Sequence, residues 1–81
     1  QEQYASFNIF PNPSTGIFTI DLHNCRDTRL SVYDVLGSCL LKKNCWNEVS
    51  PKIDLSCQPK GIYFMEIVSG GERVVKKIVL Q

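Results

Sequence analysis

Apolar residues recur at every second position in several short stretches of this chain, and almost nowhere at the spacing that an amphipathic helix requires. The alternating positions are occupied by Phe18, Ile20, Leu22, Leu30, Val32, Tyr63, Met65 and Ile67. Such alternation places one face of an extended strand in a core and the other face in solvent. The sequence therefore predicts β-strands and leaves almost no room for a helix.

Turn-forming residues separate these stretches. Gly70 and Gly71 can adopt the positive φ angles of a two-residue hairpin, so the strands on either side are predicted to be antiparallel neighbours. A second hairpin is predicted at residues 34–37, with Asp34 capping a type I turn and Gly37 in the left-handed conformation. Residues 11–16 contain two prolines that cannot donate ladder hydrogen bonds, which predicts a turn or a strand crossing.

The number and spacing of these signals predict the fold class. About seven short strands, with turns roughly every 8–12 residues, indicate an all-β fold, an immunoglobulin/fibronectin-like antiparallel β-sandwich. The 81 residues suffice for one domain. Trp46 follows the fourth strand instead of lying in the third, which favours the fibronectin type. The spacing of Pro59 and Tyr63 predicts that the Tyr63 hydroxyl bonds back to the preceding corner, a structural role.

The charged residues exclude several functions. Nine Lys and Arg against eight Asp and Glu leave a net charge of +1, too small to hold nucleic acid or an anionic membrane. No apolar run approaches the roughly 20 residues of a transmembrane helix. The single histidine, His23, lies in a polar stretch after a strand, and the carboxylates are scattered, so no triad of serine, histidine and acid is indicated. No catalytic residue, metal site or cofactor is predicted. Two lysine pairs, at residues 42–43 and 76–77, are either docking sites or protection of edge strands against aggregation.

Four cysteines in so small a domain favour two disulfides in an oxidising compartment. A zinc site, a redox-active pair and simple buried thiols are the alternatives, and the sequence has neither the close cysteine knuckle of zinc sites nor a C-x-x-C motif. In a fibronectin-like strand order, Cys25 is predicted to pair with Cys45 and Cys39 with Cys57. Cys39 and Cys45 cannot pair with each other, because an extended strand between them spans about 20 Å.

Three segments, in this order and spacing, resemble one protein family. They are residues 9–16 with the following strand, residues 30–37, and residues 53–80. Together they cover nearly the whole chain from Phe7 to Gln81. The chain resembles the type A C-terminal sorting domain of type IX (Por) secretion cargo, which is found in Bacteroidetes-type bacteria.

The resemblance implies a sorting signal and not an enzyme. Residues 7–81 would form the sorting domain and residues 1–6 a linker from an upstream cargo. The cargo would pass through the periplasm, cross the outer membrane through the type IX translocon, and reach the cell surface or the exterior, where a sortase removes the domain. The implied partners are translocon and sortase components, without nucleic acid or direct membrane insertion.

The resemblance also carries over a set of recognition residues. They are Pro11, Asn12, Pro13, Gly16, Gly61, Ile62, Tyr63, Lys76, Lys77, Ile78, Val79, Leu80 and Gln81. We expect Gly16 to adopt a backbone conformation that side chains disfavour. The main alternative function is a β-sandwich binding module, such as an adhesin or carbohydrate-binding domain. Such a module needs clustered exposed aromatic residues, for which only Trp46 and Tyr4 are candidates.

Overall fold

The computed structural model describes residues 6–23, 27–46 and 48–81, which form two antiparallel β-sheets. The strands are β1 (Ser6–Phe10), β2 (Ile17–His23), β3 (Thr28–Tyr33), β4 (Cys39–Cys45), β5 (Lys52–Asp54), β6 (Gly61–Ser69) and β7 (Glu72–Leu80). One sheet has the order β1-β2-β5 and the other the order β4-β3-β6-β7. Within the described residues no helix is long and apolar enough to cross a membrane. The predicted all-β sandwich is confirmed.

The core lies between the sheets, where the alternating apolar positions of both inner faces meet. It contains Phe18, Ile20, Leu22, Leu30, Val32, Cys45, Ile53, Leu55, Tyr63, Met65, Ile67, Ile78 and Leu80. In β6 the odd-numbered side chains are buried, whereas the even-numbered ones are exposed or half-buried. The two-residue period seen in the sequence is thus the period of core burial, which drives the two sheets together.

Both predicted hairpins are present. Gly70 and Gly71, with φ angles of 56° and 84°, connect β6 to β7. The Asp34 carboxylate accepts hydrogen bonds from the Leu36 and Ser38 amides, both at 2.9 Å. Gly37 follows with a φ of 88° and donates to the Asp34 carbonyl. Local turn chemistry therefore sets the pairing of β3 with β4 and of β6 with β7.

The predicted structural role of Tyr63 is also confirmed. The Tyr63 ring is only 5% exposed and its hydroxyl donates a hydrogen bond to the Pro59 carbonyl. This bond ties the start of β6 to the loop that precedes it.

The two lysine pairs lie on β4 and β7, which are the outer strands of the four-stranded sheet, where charge opposes strand-to-strand aggregation.

The predicted disulfides are absent from the structure, in which Cys39, Cys45 and Cys57 are free thiols. Cys25 lies outside the described residues. Cys39 begins β4 and Cys45 ends it, so these two residues lie at opposite ends of an extended strand, as predicted. Cys45 is buried in the core, which fits the alternative that some of the cysteines are packed thiols.

Cys39 and Cys57 belong to different parts of the sandwich. Cys39 begins β4 of the four-stranded sheet, whereas Cys57 follows β5 of the three-stranded sheet, and both thiols are exposed. Packed sheets lie about 10 Å apart, and a disulfide needs Cα atoms within about 7 Å. Sharing one end of the sandwich is therefore insufficient to pair them.

Candidate functional site

The recognition residues that the resemblance carried over fall in three groups, and the three groups meet at one end of the sandwich. Gly61, Ile62 and Tyr63 pair with the last residues of β7, Gly61 lying opposite Leu80. On the other side of β7, Ser14 forms an isolated parallel bridge with Leu80. The end of β7 is therefore enclosed between β6 and the proline-rich turn at residues 11–16, which we call the PNP turn.

Four hydrogen bonds attach the PNP turn to β7. The Asn12 side chain donates from Nδ2 to the Lys77 carbonyl at 3.0 Å and accepts at Oδ1 from the Val79 amide at 2.9 Å. The Ser14 amide donates to the Val79 carbonyl at 3.0 Å, and the Ser14 carbonyl accepts from the Gln81 amide at 2.8 Å. Asn12 thus supplies a donor and an acceptor as a peptide group would. The turn occupies the outer edge of β7 from Lys77 to Gln81.

The sequence of the PNP turn explains this mode of attachment. Pro11 and Pro13 lack a backbone N–H and cannot donate to a neighbouring strand, so the amide donors at the edge come from Asn12 and Ser14. Both X-Pro peptide bonds are cis. The buried Ser14 hydroxyl donates to the Ile17 carbonyl at 2.7 Å and accepts from the Gly16 amide at 3.2 Å. Ser14 therefore fixes the turn to the start of β2.

Gly16 is required by space and not by an unusual backbone angle. It is not among the glycines with positive φ, so the expectation of a conformation that side chains disfavour is wrong. Gly16 is buried, its carbonyl accepts from the Leu55 amide at 2.8 Å, and a Cβ added to it would lie 3.1 Å from the Ser56 Cβ. The close approach of the loop after β5 leaves little room for a side chain at this position.

Ser56 is itself held in place by Asp54. The Asp54 Oδ1 atom accepts hydrogen bonds from the Ser56 hydroxyl at 2.6 Å and from the Ser56 amide at 2.9 Å. These bonds stabilise the carboxylate and lower the pKa of Asp54 below its usual value. The turn at residues 54–56 is therefore held in a fixed conformation where it packs against Gly16.

Burial divides the recognition residues that were carried over from the family. Four of them are buried and cannot contact a partner while the domain stays folded: Gly16, Tyr63, Ile78 and Leu80. The residues that are exposed are Pro11, Asn12, Pro13, Ile62, Lys76, Lys77 and Gln81, and the half-buried ones are Gly61 and Val79. The structure brings the exposed members together along the PNP turn and the adjoining outer face of β6 and β7, except Lys76, which lies opposite the buried Met65 and so on the other face of β7.

The outer face of β6 and β7 beside the PNP turn is partly apolar. Ile62 is 43% exposed and Val75 is 47% exposed. On the same face, Val79 lies opposite Ile62, and Lys77 lies between Val79 and Val75 along β7. Sequence reasoning did not select Val75. The signal was available, because Ile78 and Leu80 point inward and the strand period then turns positions 79, 77 and 75 outward. This surface offers apolar contacts and a cation to a partner, without a group that performs chemistry.

A second surface feature lies at the other end of the four-stranded sheet. Trp46 is 68% exposed and borders a cavity of about 620 Å³ that is also lined by Arg29, Asn44 and Val68. Trp46 is the one aromatic residue among the described residues that line this cavity. Tyr4, the other aromatic candidate for a ligand face, lies outside the described residues. The described part of the cavity therefore lacks the aromatic cluster expected of a carbohydrate-binding module.

Comparisons with known proteins match almost the whole chain. A family model described as the secretion system C-terminal sorting domain matches residues 8–81. The chain is 36% identical over 73 residues to beta-agarase D of Zobellia galactanivorans, a match that covers 89% of the chain and 14% of that protein. It is 28% identical over 74 residues to ulvan lyase NLR42 of Nonlabens ulvanivorans, covering 90% of the chain and 14% of that protein.

The chain thus spans a small part of the length of each relative that it matches. The shared region is a sorting signal of exported proteins and not a catalytic domain, and its destination is the cell surface or the exterior. The match over residues 8–81, in the order and spacing that the sequence showed, identifies the family. This chain belongs to the family of type IX secretion system C-terminal sorting domains.

Proposed function

We propose that this domain directs a larger cargo through the periplasm and across the outer membrane by binding a component of the type IX translocon, and that a surface sortase then removes it. Residues 1–6 would link the domain to the cargo. Family membership supports the export role. The two relatives are named as an agarase and a lyase, which supports a secreted enzyme as the cargo.

The observation that carries the proposal is the convergence of the PNP turn, the start of β6 and the end of β7. The PNP turn lies about 45 residues or more before the other two segments in the chain, yet the three form one continuous surface. Their exposed side chains include apolar, amide and lysine groups without a catalytic arrangement. A surface of this composition is suited to binding a protein, for which apolar contacts supply affinity and lysines supply orientation.

The chemistry of the surface indicates the chemistry of the partner. Ile62 and Val75 favour an apolar patch on the translocon component, and the exposed Lys77 on the same face favours acidic groups at its border, with Lys76 beside it on the opposite face of β7. The net charge of the whole chain is only +1, so attraction depends on these local lysines and not on a long-range field.

The proposal is tested with a reporter protein that carries a signal peptide at its start and the full 81-residue chain at its end, expressed in a type IX-competent host. We expect the reporter outside the cell or on its surface. Deleting residues 76–81 should leave the reporter in the periplasm. That deletion also removes the buried Ile78 and Leu80, so it tests folding together with recognition.

A pair of double variants separates these two effects. Lys76→Ala with Lys77→Ala removes two exposed lysines beside the PNP turn, and Lys42→Ala with Lys43→Ala removes a lysine pair from the opposite edge strand. We expect the first double variant to reduce export and the second to leave it unchanged, with both domains folded by circular dichroism. Normal export of the Lys76/Lys77 double variant would contradict the assignment of recognition to this surface.

Removal by a sortase has a readout of its own. Mass spectrometry of the external reporter should show that the domain is missing. An external reporter that still carries all 81 residues would disprove the removal step and leave the export role intact.

A further inference from the structure

We infer that the translocon component recognises the end of β7 in its docked form, enclosed between β6 and the PNP turn, and that Asn12 is the positioning residue that holds it there. This inference rests on the proposed function. It excludes the simplest mode of recognition, in which a partner adds a strand to the edge of the last strand.

The first support is that the outer edge of β7 is already occupied at its end. Ser69 and Glu72 close the β6–β7 hairpin. From this pair onward, the backbone N–H and C=O groups of even-numbered residues of β7 are directed toward β6, and those of odd-numbered residues are directed toward the outer edge. At Lys77, Val79 and Gln81 these outward groups are bonded to the PNP turn. A partner strand could reach them only after the turn had been displaced.

The second support is the use that the fold makes of Asn12. Its side chain is exposed, and both of its hydrogen bonds go to the backbone of β7, to Lys77 and to Val79, 65 and 67 residues away in the chain. Among the hydrogen bonds that hold the PNP turn on β7, only these two come from a side chain. They can therefore be removed by substitution without touching the core, because Ile78 and Leu80 keep their burial and their pairing with β6.

The third support is the position of the open edge. Only the first half of β7, around Arg73 and Val75, is left uncovered by the PNP turn, and there the Arg73 guanidinium bonds the Glu66 carboxylate across the outer face. Of the recognition residues carried over on this part of the chain, Lys77 to Gln81 lie in the covered half. The docked end therefore presents to a partner the exposed side chains of the turn and of Lys77, and not a free row of backbone groups.

The partner could bind the end of β7 either docked against the PNP turn or released from it. These two possibilities predict opposite effects on export when the contact between the turn and β7 is weakened. If the partner reads the docked form, Asn12→Ala reduces export, because the terminal segment spends less time in place. If the partner takes the released strand, the same substitution leaves export unchanged or raises it, since the turn then competes less.

The experiment uses the full chain, both purified and as the reporter fusion. The variants are Asn12→Ala and Asn12→Asp, which keeps the size of the side chain and its acceptor but loses the donor to the Lys77 carbonyl. The matched control is Asn8→Ala, an exposed asparagine on β1. Hydrogen exchange is measured at the Val79 and Gln81 amides, which donate to the turn, and at the Leu30 amide in the centre of the fold.

We expect Asn12→Ala to speed exchange at Val79 and Gln81 by about tenfold, the factor that corresponds to about 1.4 kcal/mol, with Leu30 unchanged. Asn12→Asp should speed exchange less, because it keeps the acceptor for the Val79 amide and loses only the bond to the Lys77 carbonyl. Export should fall in both variants and remain normal for Asn8→Ala. Unchanged exchange at Val79 and Gln81 would overturn the positioning role of Asn12. Faster exchange with unchanged or increased export would overturn recognition of the docked form. Failure of the unsubstituted fusion to leave the cell would instead refute the proposed function, while the exchange measurement would still decide the role of Asn12.

Discussion

Replacing Gly16 with alanine tests whether the site is limited by space or by backbone conformation. The added Cβ would lie 3.1 Å from the Ser56 Cβ, closer than ordinary van der Waals contact. Overpacking of a well-packed site costs typically about 1–3 kcal/mol, and one methyl group against one neighbour lies at the lower end. Restriction of the unfolded chain returns about 0.4–1 kcal/mol. The steric cost of about 1 kcal/mol less this return leaves a net loss of about 0.5 kcal/mol, which lowers the melting temperature of a domain of this size by about 2–4 °C.

The cause of that loss is isolated by a double-mutant cycle with Ser56. Ser56→Gly removes the Cβ that the new methyl group meets, so it should recover most of the loss and give a coupling energy of about 1 kcal/mol. Ser56→Ala keeps the Cβ and removes the hydroxyl that bonds Asp54. It is the matched control, and its coupling with Gly16→Ala should be near zero.

The assay is urea unfolding of the five single and double variants beside the unsubstituted chain, followed by circular dichroism. If Gly16 were required for its backbone angle, Gly16→Ala would destabilise the domain equally in all three Ser56 backgrounds. That result would refute the steric explanation.

Two further predictions concern the core. Tyr63→Phe removes the hydrogen bond to the Pro59 carbonyl and should lower the free energy of unfolding by about 0.5–1.5 kcal/mol in the same urea assay, whereas an unchanged value would show that the bond contributes nothing. Burial, with a smaller contribution from a nearby glutamate, raises the pKa of the Cys45 thiol; alkylation of the native protein at pH 8, read by mass spectrometry, should therefore modify the exposed Cys39 and Cys57 first and Cys45 only on unfolding. Protection of Cys39 and Cys57 that a reducing agent reverses would show that they form a disulfide after all.

Much of the fold follows from local sequence. Tyr63, Met65 and Ile67 alternate in the chain and are buried in the structure, because the period of a strand and the boundary between core and solvent are local properties. The two glycine-containing hairpins follow equally directly, since the φ angles that Gly70 and Gly71 adopt are angles that other residues avoid. In these elements, residues close in sequence determine the structure.

The arrangement of the site depends on contacts that local sequence does not encode. Nothing near Asn12 indicates that its amide bonds Lys77 and Val79, because the contact depends on how the two sheets pack. The family resemblance pointed to both segments and not to their contact. The predicted pairing of Cys39 with Cys57 was wrong for a related reason: chain order placed both residues at one end of the sandwich, whereas Cys39 begins a strand of one sheet and Cys57 follows a strand of the other.

The most direct test of the central conclusion compares two strains. The reporter fusion that carries the full chain is expressed in a type IX-competent host and in an otherwise identical strain that lacks the translocon, and the external fraction of the reporter is measured in both. The sorting function predicts that the reporter leaves the first strain and accumulates in the periplasm of the second. Equal external fractions in the two strains, or retention in both, would contradict it.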